Sequence, residues 1–181
     1  MIYEEKKILL KNGRTVTVKS PSEDDWQKMI EYIKCVASET PYILRTPEEC
    51  SDTKESEVSF IKQHNESGLD RMLTVFDGDT VVGNCNLNIK NRKKVRHRAK
   101  LGIGLRKSHY SLGIGTFLIT ELARISKSAG CTQLELSYVD GNERAKRLYE
   151  KCGFVEVGRM PCGVLMPDGT YADEVFMVKK L

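Results

Sequence analysis

Between residues 95 and 105 apolar and polar positions alternate. Val95, His97, Ala99, Leu101, Ile103 and Leu105 fall on one side, with Arg96, Arg98, Lys100, Gly102 and Gly104 on the other. A period of two places successive side chains on opposite faces of a strand, so this stretch predicts a long strand with one buried face. After Gly113-Ile114-Gly115 the period becomes helical: Ile114, Phe117, Leu118, Leu122, Ile125 and Ala129 form one stripe, and Gly130 stops it. A strand over 133–139 follows, and Asp140-Gly141 turns the chain. Asn142 then caps a short helix whose apolar positions Ala145, Leu148, Tyr149 and Cys152 follow i, i+3, i+4, i+7. Segments 155–165 and 171–181 read as a last hairpin around Pro167-Asp168-Gly169.

Upstream, 15–19 reads as a short strand, and Ser22 caps a helix whose first turn holds Glu23, Asp24 and Asp25, where the helix dipole favours negative charge. The pattern predicts a second helix over 54–65 and a hairpin of 71–76 and 81–89 across Asp77-Gly78-Asp79. In the second hairpin strand Val81, Cys85, Leu87 and Ile89 share one face, and Asn84, Asn86 and Asn88 the other. The order β-α-α-β-β-β-α-β-α-β-β defines an α/β fold, a mixed central sheet of about six to seven strands with helices on both faces.

With 181 residues, 40% hydrophobic and 30% charged, the chain fits one domain over 1–181, large enough to bury a core without disulfides or metal. The longest apolar run, 112–119, is too short to span a membrane and contains two glycines. The N-terminus mixes charge signs and has no apolar signal segment, which points to a cytoplasmic protein. The six cysteines have no C-x-x-C spacing and read as reduced thiols, most of them small core residues. His64, His97 and His109 have no ligand spacing, so no metal is expected. Charge sharpens the picture. Residues 80–120 hold no Asp or Glu but carry Lys90, Arg92, Lys93, Lys94, Arg96, Arg98, Lys100, Arg106 and Lys107. Such a stretch suits a polyanion or a phosphorylated small molecule, or is a solvated strand face whose cations discourage edge pairing. Residues 23–57 are biased the other way, as exposed helix faces or as a surface for a cation.

The junction from Lys107 to Thr116 joins the long strand to the helix. Glycines at such a turn let backbone N–H groups approach a phosphate, with the helix N-terminus adding positive partial charge, although glycine also serves close packing. It is no P-loop, because no Gly-Lys-Ser/Thr follows, and no dinucleotide fingerprint, because Leu118 stands where the third glycine belongs. The segment Tyr110-Ser111-Leu112-Gly113-Ile114-Gly115 resembles the pyrophosphate signature Arg/Gln-x-x-Gly-x-Gly/Ala of the GNAT superfamily of acyl-CoA-dependent N-acyltransferases, with Tyr110 in place of Arg or Gln. Asn142, Ala145, Leu148, Tyr149, Gly153 and Phe154 resemble its closing motif Asn-x-x-Ala-x-x-Leu-Tyr-x-x-x-Gly-Phe. The likeness runs well over 71–181, and over the first seventy residues by element order alone.

The resemblance implies a GNAT-like sheet and an acetyl-CoA-dependent N-acetyltransferase working by direct attack in a ternary complex. It implies that the pantetheine arm pairs with the backbone at Ile103, Gly104 and Leu105, where Gly102 and Gly104 suit a close approach or simply a twisted strand. The amides of Leu112, Gly113, Ile114, Gly115 and Thr116, beside Tyr110, would hold the pyrophosphate. Asn142 would contact pantetheine as well as cap its helix, and Tyr149 would protonate the leaving thiolate. An amine of pKa about 10.4 is neutral in roughly one molecule in a thousand near pH 7.4, a barrier of about 4 kcal/mol, so a base is expected. Glu135 leads for that role, followed by His97, which on an apolar face also reads as a core residue, and by Asp173 and Glu174. The partners are acetyl-CoA and an amine acceptor, with room for a homodimer and no membrane. The competing reading is a CoA-binding or nucleic-acid-binding protein without acyl transfer. No aromatic interleaves the cations of 90–107 for base stacking, so nucleic acid is not expected.

Overall fold

The computed structural model describes residues 2–181. Its elements are β1 (Lys6–Leu9), β2 (Thr15–Lys19), α1 (Trp26–Glu39), α2 (Lys54–Glu66), β3 (Arg71–Asp77), β4 (Thr80–Ile89), β5 (Arg98–Leu105), α3 (Ile114–Ser128), β6 (Gln133–Val139), α4 (Glu143–Lys151), β7 (Val155–Leu165) and β8 (Tyr171–Lys180). The eight strands hydrogen-bond in the order β1-β2-β3-β4-β5-β6-β8-β7, mostly antiparallel, with β5 and β6 parallel. Contacts divide the chain into two compact groupings: one runs to Asn88 and resumes over Gly102–Leu118, the other comprises Ile89–Leu101 and Ile119–Leu181.

In the first grouping β1, β2, β3 and β4 form an antiparallel meander. Met29, Tyr32 and Val36 of α1 pack with Ile61 of α2, Met72 and Phe76 of β3 and Val81 of β4. Full burial of one such side chain, as for Ile61 at 0% exposed, contributes roughly 1.5–3 kcal/mol. The Asp25 carboxylate accepts from both the amide and the hydroxyl of Ser22 at 2.9 Å, closing a 3-10 turn, Glu23–Asp25, and the α-helix proper starts at Trp26. Thr53 caps α2 by accepting from the Ser56 amide at 3.3 Å. In the second grouping β6 pairs with β8 along its whole length, and β8 with β7. Leu134 and Leu136 of β6 and Val175 and Met177 of β8 are buried there.

Two expectations are corrected. β1 raises the strand count from the expected six to seven up to eight. Its four residues, Lys-Lys-Ile-Leu, do not alternate, and only their pairing with β2 makes them a strand. The strand expected over 95–105 begins at Arg98, because Val95 and Arg98 donate turn hydrogen bonds to the carbonyls of Arg92 and Val95 at 2.9 and 3.0 Å. Local turn bonding therefore wins over the apparent alternation of Val95 and His97. All six cysteines are free thiols, with Cys50, Cys85 and Cys131 buried. No helix among the described residues is long and apolar enough to cross a membrane.

Candidate active site

Each grouping carries its own share of the expected residues. In the first, β5 leads through a 3-10 turn, Lys107–His109, into the loop at the N-terminus of α3. Two loop residues take left-handed backbone, Ser111 at φ 63° and Gly113 at φ 98°. Among the described residues the amides of Leu112 and Gly113 donate no hydrogen bond, and those of Ile114 and Gly115 lie in the first helical turn, where no intrahelical acceptor exists. A Cβ on Gly113 would meet no protein atom within 4 Å, so packing does not require the glycine; its φ does. The result is a row of backbone donors at a helix N-terminus, which fits an anion. Arg106, just after β5, keeps its Nε buried and without a hydrogen-bond partner, and its charge acts on Tyr32 and Cys35 of α1.

Ser111 escapes the sequence pattern, since no periodicity signals a left-handed non-glycine residue. Its strain is measurable. Ser111→Gly is expected to raise the melting temperature by about 1–4 °C, the relief of roughly 0.5–1 kcal/mol net of glycine's extra unfolded freedom. A lower melting temperature by calorimetry would show that the serine hydroxyl contributes more than the strain costs.

On β5, Ile103, Gly104 and Leu105 are partly exposed. The two glycines of this strand admit polar side chains of the protein itself: an added Cβ would lie 2.6 Å from Oδ1 of Asn86 at Gly102 and 2.7 Å from the Tyr32 hydroxyl at Gly104. The close approach expected at these glycines is thus made by Asn86 and Tyr32. Tyr32 is 4% exposed, and burial pushes its phenol far above the ordinary value. It is a functional candidate that the sequence does not distinguish from an ordinary core position on α1.

In the second grouping Asn142 caps α4, its Oδ1 accepting from the Ala145 amide at 3.2 Å, and its Nδ2 makes no hydrogen bond among the described residues. Tyr149 is buried between Tyr138 and Phe154, ring centroids 6.0 and 6.1 Å away. Its hydroxyl makes no hydrogen bond among the described residues, and burial pushes the phenol up to about 12, so it stays protonated at neutral pH. The neighbouring Tyr138 hydroxyl is buried and likewise without a partner.

The expected bases fare differently. Glu135 is gripped by the Arg98 guanidinium, with Nη2 2.9 Å from Oε2 and Nε on Oε1, and accepts from Gln133 at 2.9 Å. Arg98 above all holds its carboxyl below the usual range, which suits an ion pair across β5 and β6 better than removal of an amine proton. His97 is exposed in the turn before β5, not on a buried strand face; its carbonyl accepts from Thr132 and Gln133 at 2.9 and 3.2 Å. Asp173 accepts from the Cys162 amide at 3.1 Å, where Cys162 takes φ 52°. Glu174 packs against Gly163.

A further carboxylate emerges on α2. Glu57 is 9% exposed, shares a face with buried Ile61 one turn on, and its carboxylate has no hydrogen-bond partner among the described residues. Burial, with nearby Asp52 adding to it and Arg45 opposing it, pushes its carboxyl up to about 7. Because the folded value is raised, the stabilisation belongs to the neutral form. It is fully present below the unfolded value of about 4.3 and is lost as pH rises through about 7. Glu57→Gln is therefore expected to be more stable than wild type at pH 8, by on the order of 3 kcal/mol, and no more stable at pH 4. Urea unfolding at the two pH values measures this, and a difference independent of pH would refute the linkage.

A model of the acetyltransferase (GNAT) family matches residues 37–154, and the chain belongs to that family. It is an acyltransferase enzyme. The fold is similar to a GNAT-family acetyltransferase from Streptococcus pneumoniae, 24% identical over 92% of this chain and 99% of that one, with a TM-score of 0.85. It is also similar to a ribosomal-protein-alanine N-acetyltransferase from Brucella melitensis, 22% identical over 91% of this chain and 99% of that one, TM-score 0.78. A phosphinothricin acetyltransferase from Sinorhizobium meliloti, solved in complex with acetyl-CoA, is 18% identical over 92% of this chain and 88% of that one, TM-score 0.78. No curated protein matches the sequence.

Proposed function

We propose that the protein transfers the acetyl group of acetyl-CoA to an amine of a small molecule or protein by direct attack in a ternary complex. The observation that carries this reading is the loop at the N-terminus of α3, where the left-handed Ser111 and Gly113 leave a row of amides without acceptors. In this reading Leu112, Gly113, Ile114, Gly115 and Thr116 hold the pyrophosphate beside Tyr110, and the backbone at Ile103, Gly104 and Leu105 pairs with the pantetheine arm. Asn142 has a free amide NH₂ to offer that arm. Tyr149, protonated and without a competing partner, donates the proton that the departing thiolate needs. The acceptor is a cationic amine, in keeping with the acidic bias of residues 23–57.

A thermal-shift titration with acetyl-CoA, followed by thiol release on a panel of polyamines, aminoglycoside-like amines and peptides, tests the proposal. Ligand at 100 times its dissociation constant adds about 2.7 kcal/mol of stability. No shift at millimolar acetyl-CoA would remove the reading. A shift without thiol release on any amine would favour a CoA-binding protein that does not turn over.

A further inference from the structure

The turn leading into the phosphate-facing loop is tied down by a side-chain relay that the reaction does not use directly. His109 is 6% exposed, and its Nε2 donates to the Asp77 carboxylate at 3.0 Å. Its Nδ1 accepts from the Ser108 hydroxyl at 2.9 Å in the neutral tautomer. Asp77 stands at the end of β3, in the Asp77-Gly78-Asp79 hairpin turn, and the same carboxylate oxygen also receives Arg14 from the residue before β2. The His109 hydrogen bond, with Arg14 reinforcing it, holds the Asp77 carboxyl below its usual range against the opposing effect of burial. The chain around His109 is fastened at two more points. The Lys107 amide donates to the Glu39 carboxylate of α1 at 2.6 Å, and the Lys11 amide donates to the Leu112 carbonyl within the loop at 3.3 Å.

These bonds converge on the short stretch from Lys107 to Leu112, and their direction matters. The Leu112 carbonyl accepts from Lys11, while the amides of Leu112 and Gly113 donate no hydrogen bond among the described residues. A row of backbone donors binds an anion well only if its geometry is set beforehand, because ordering the loop at the moment of binding would subtract from the affinity. His109 lies two residues before Ser111, so its anchorage fixes where the left-handed stretch begins.

We infer that His109 and Asp77, braced by Arg14, are positioning residues that pre-set the Tyr110–Gly115 loop for the pyrophosphate of CoA. The inference rests on that loop being the pyrophosphate site. Neither residue touches the ligand. Their effect is on affinity through the loop, and the two act as one unit.

The test measures CoA affinity by calorimetry on the full chain for wild type, His109→Phe, Asp77→Asn, the double variant and Gly113→Val, with a ligand-free melt for each. Each single change at the pair is expected to weaken CoA by about tenfold or more, and the double variant by no more than about twofold beyond the weaker single. Asp77→Asn keeps the size of the native side chain and decides the matter if His109→Phe fails to fold. A pair that only stabilised the hairpin would lower the melting temperature and leave CoA affinity within twofold of wild type, which would overturn the inference. Additive losses in the double variant would overturn it as well. If Gly113→Val loses CoA while the pair variants keep it, the inference alone falls. If wild type does not bind CoA, or Gly113→Val binds it as wild type does, the reading of the loop falls first.

Discussion

Gly113→Val is expected to abolish acetyl-CoA binding, with no thermal shift up to millimolar ligand, while the free protein still unfolds cooperatively. A Cβ at this position meets no protein atom within 4 Å, so close packing does not stand against a side chain here. Its cost without ligand is the strain of a β-branched residue at φ 98°, roughly 1–2 kcal/mol. The effect on ligand is much larger, because either the backbone leaves the left-handed region and the amide row turns away, or the valine methyl groups occupy the space a phosphate needs. Wild type at 100 times its dissociation constant should gain about 2.7 kcal/mol, against none in the variant. Retained affinity would mean that the loop is a turn and nothing more.

Tyr149→Phe is expected to lower turnover by roughly 10²-fold with stability and acetyl-CoA affinity little changed. The ring contacts with Tyr138 and Phe154 survive the change. Because the hydroxyl makes no hydrogen bond among the described residues, its removal leaves no partner stranded. The measurement is initial-rate kinetics on whichever amine of the panel releases thiol fastest, beside a melt of the free variant. A stability loss of about 1 kcal/mol with unchanged turnover would instead assign the hydroxyl to a structural bond.

The elements legible in the sequence are those in which local pattern and tertiary context agree. α3 and α4 announce themselves by apolar stripes with a glycine or asparagine at an end, and the β3–β4 hairpin by two apolar runs around Asp77-Gly78-Asp79. The loop before α3 is legible for a similar reason: paired glycines at a strand-to-helix junction mark a backbone that must turn sharply or come close to a neighbour. β1 is not legible, because four residues beginning Lys-Lys become a strand only when β2 is there to pair with. The ion pair of Glu135 is hidden because a carboxylate's chemistry depends on what faces it, and Arg98 is 37 residues away in sequence. Glu57 is hidden for a related reason, since nothing in a run of acidic residues tells which one is buried. The His109–Asp77 pair is likewise invisible in one dimension, being 32 positions apart.

The two ends of the strand order bear on how the protein behaves when crowded. An unpaired strand edge offers a free row of N–H and C=O groups on which another chain can build, and long apolar edges are the usual seeds of aggregation. β1 is only four residues long and carries Lys6 and Lys7, so it offers little template and a repelling charge. β7 has eleven residues and exposes Val155, Val157, Met160 and Leu165, each by more than half. Its register is broken twice, between Glu156 and Gly158 and between Met160 and Val164, and Pro161 in the second break has no N–H to donate. An incoming strand therefore finds no straight run of donors along β7, and the break around Pro161 and Cys162 interrupts the template this apolar edge would offer.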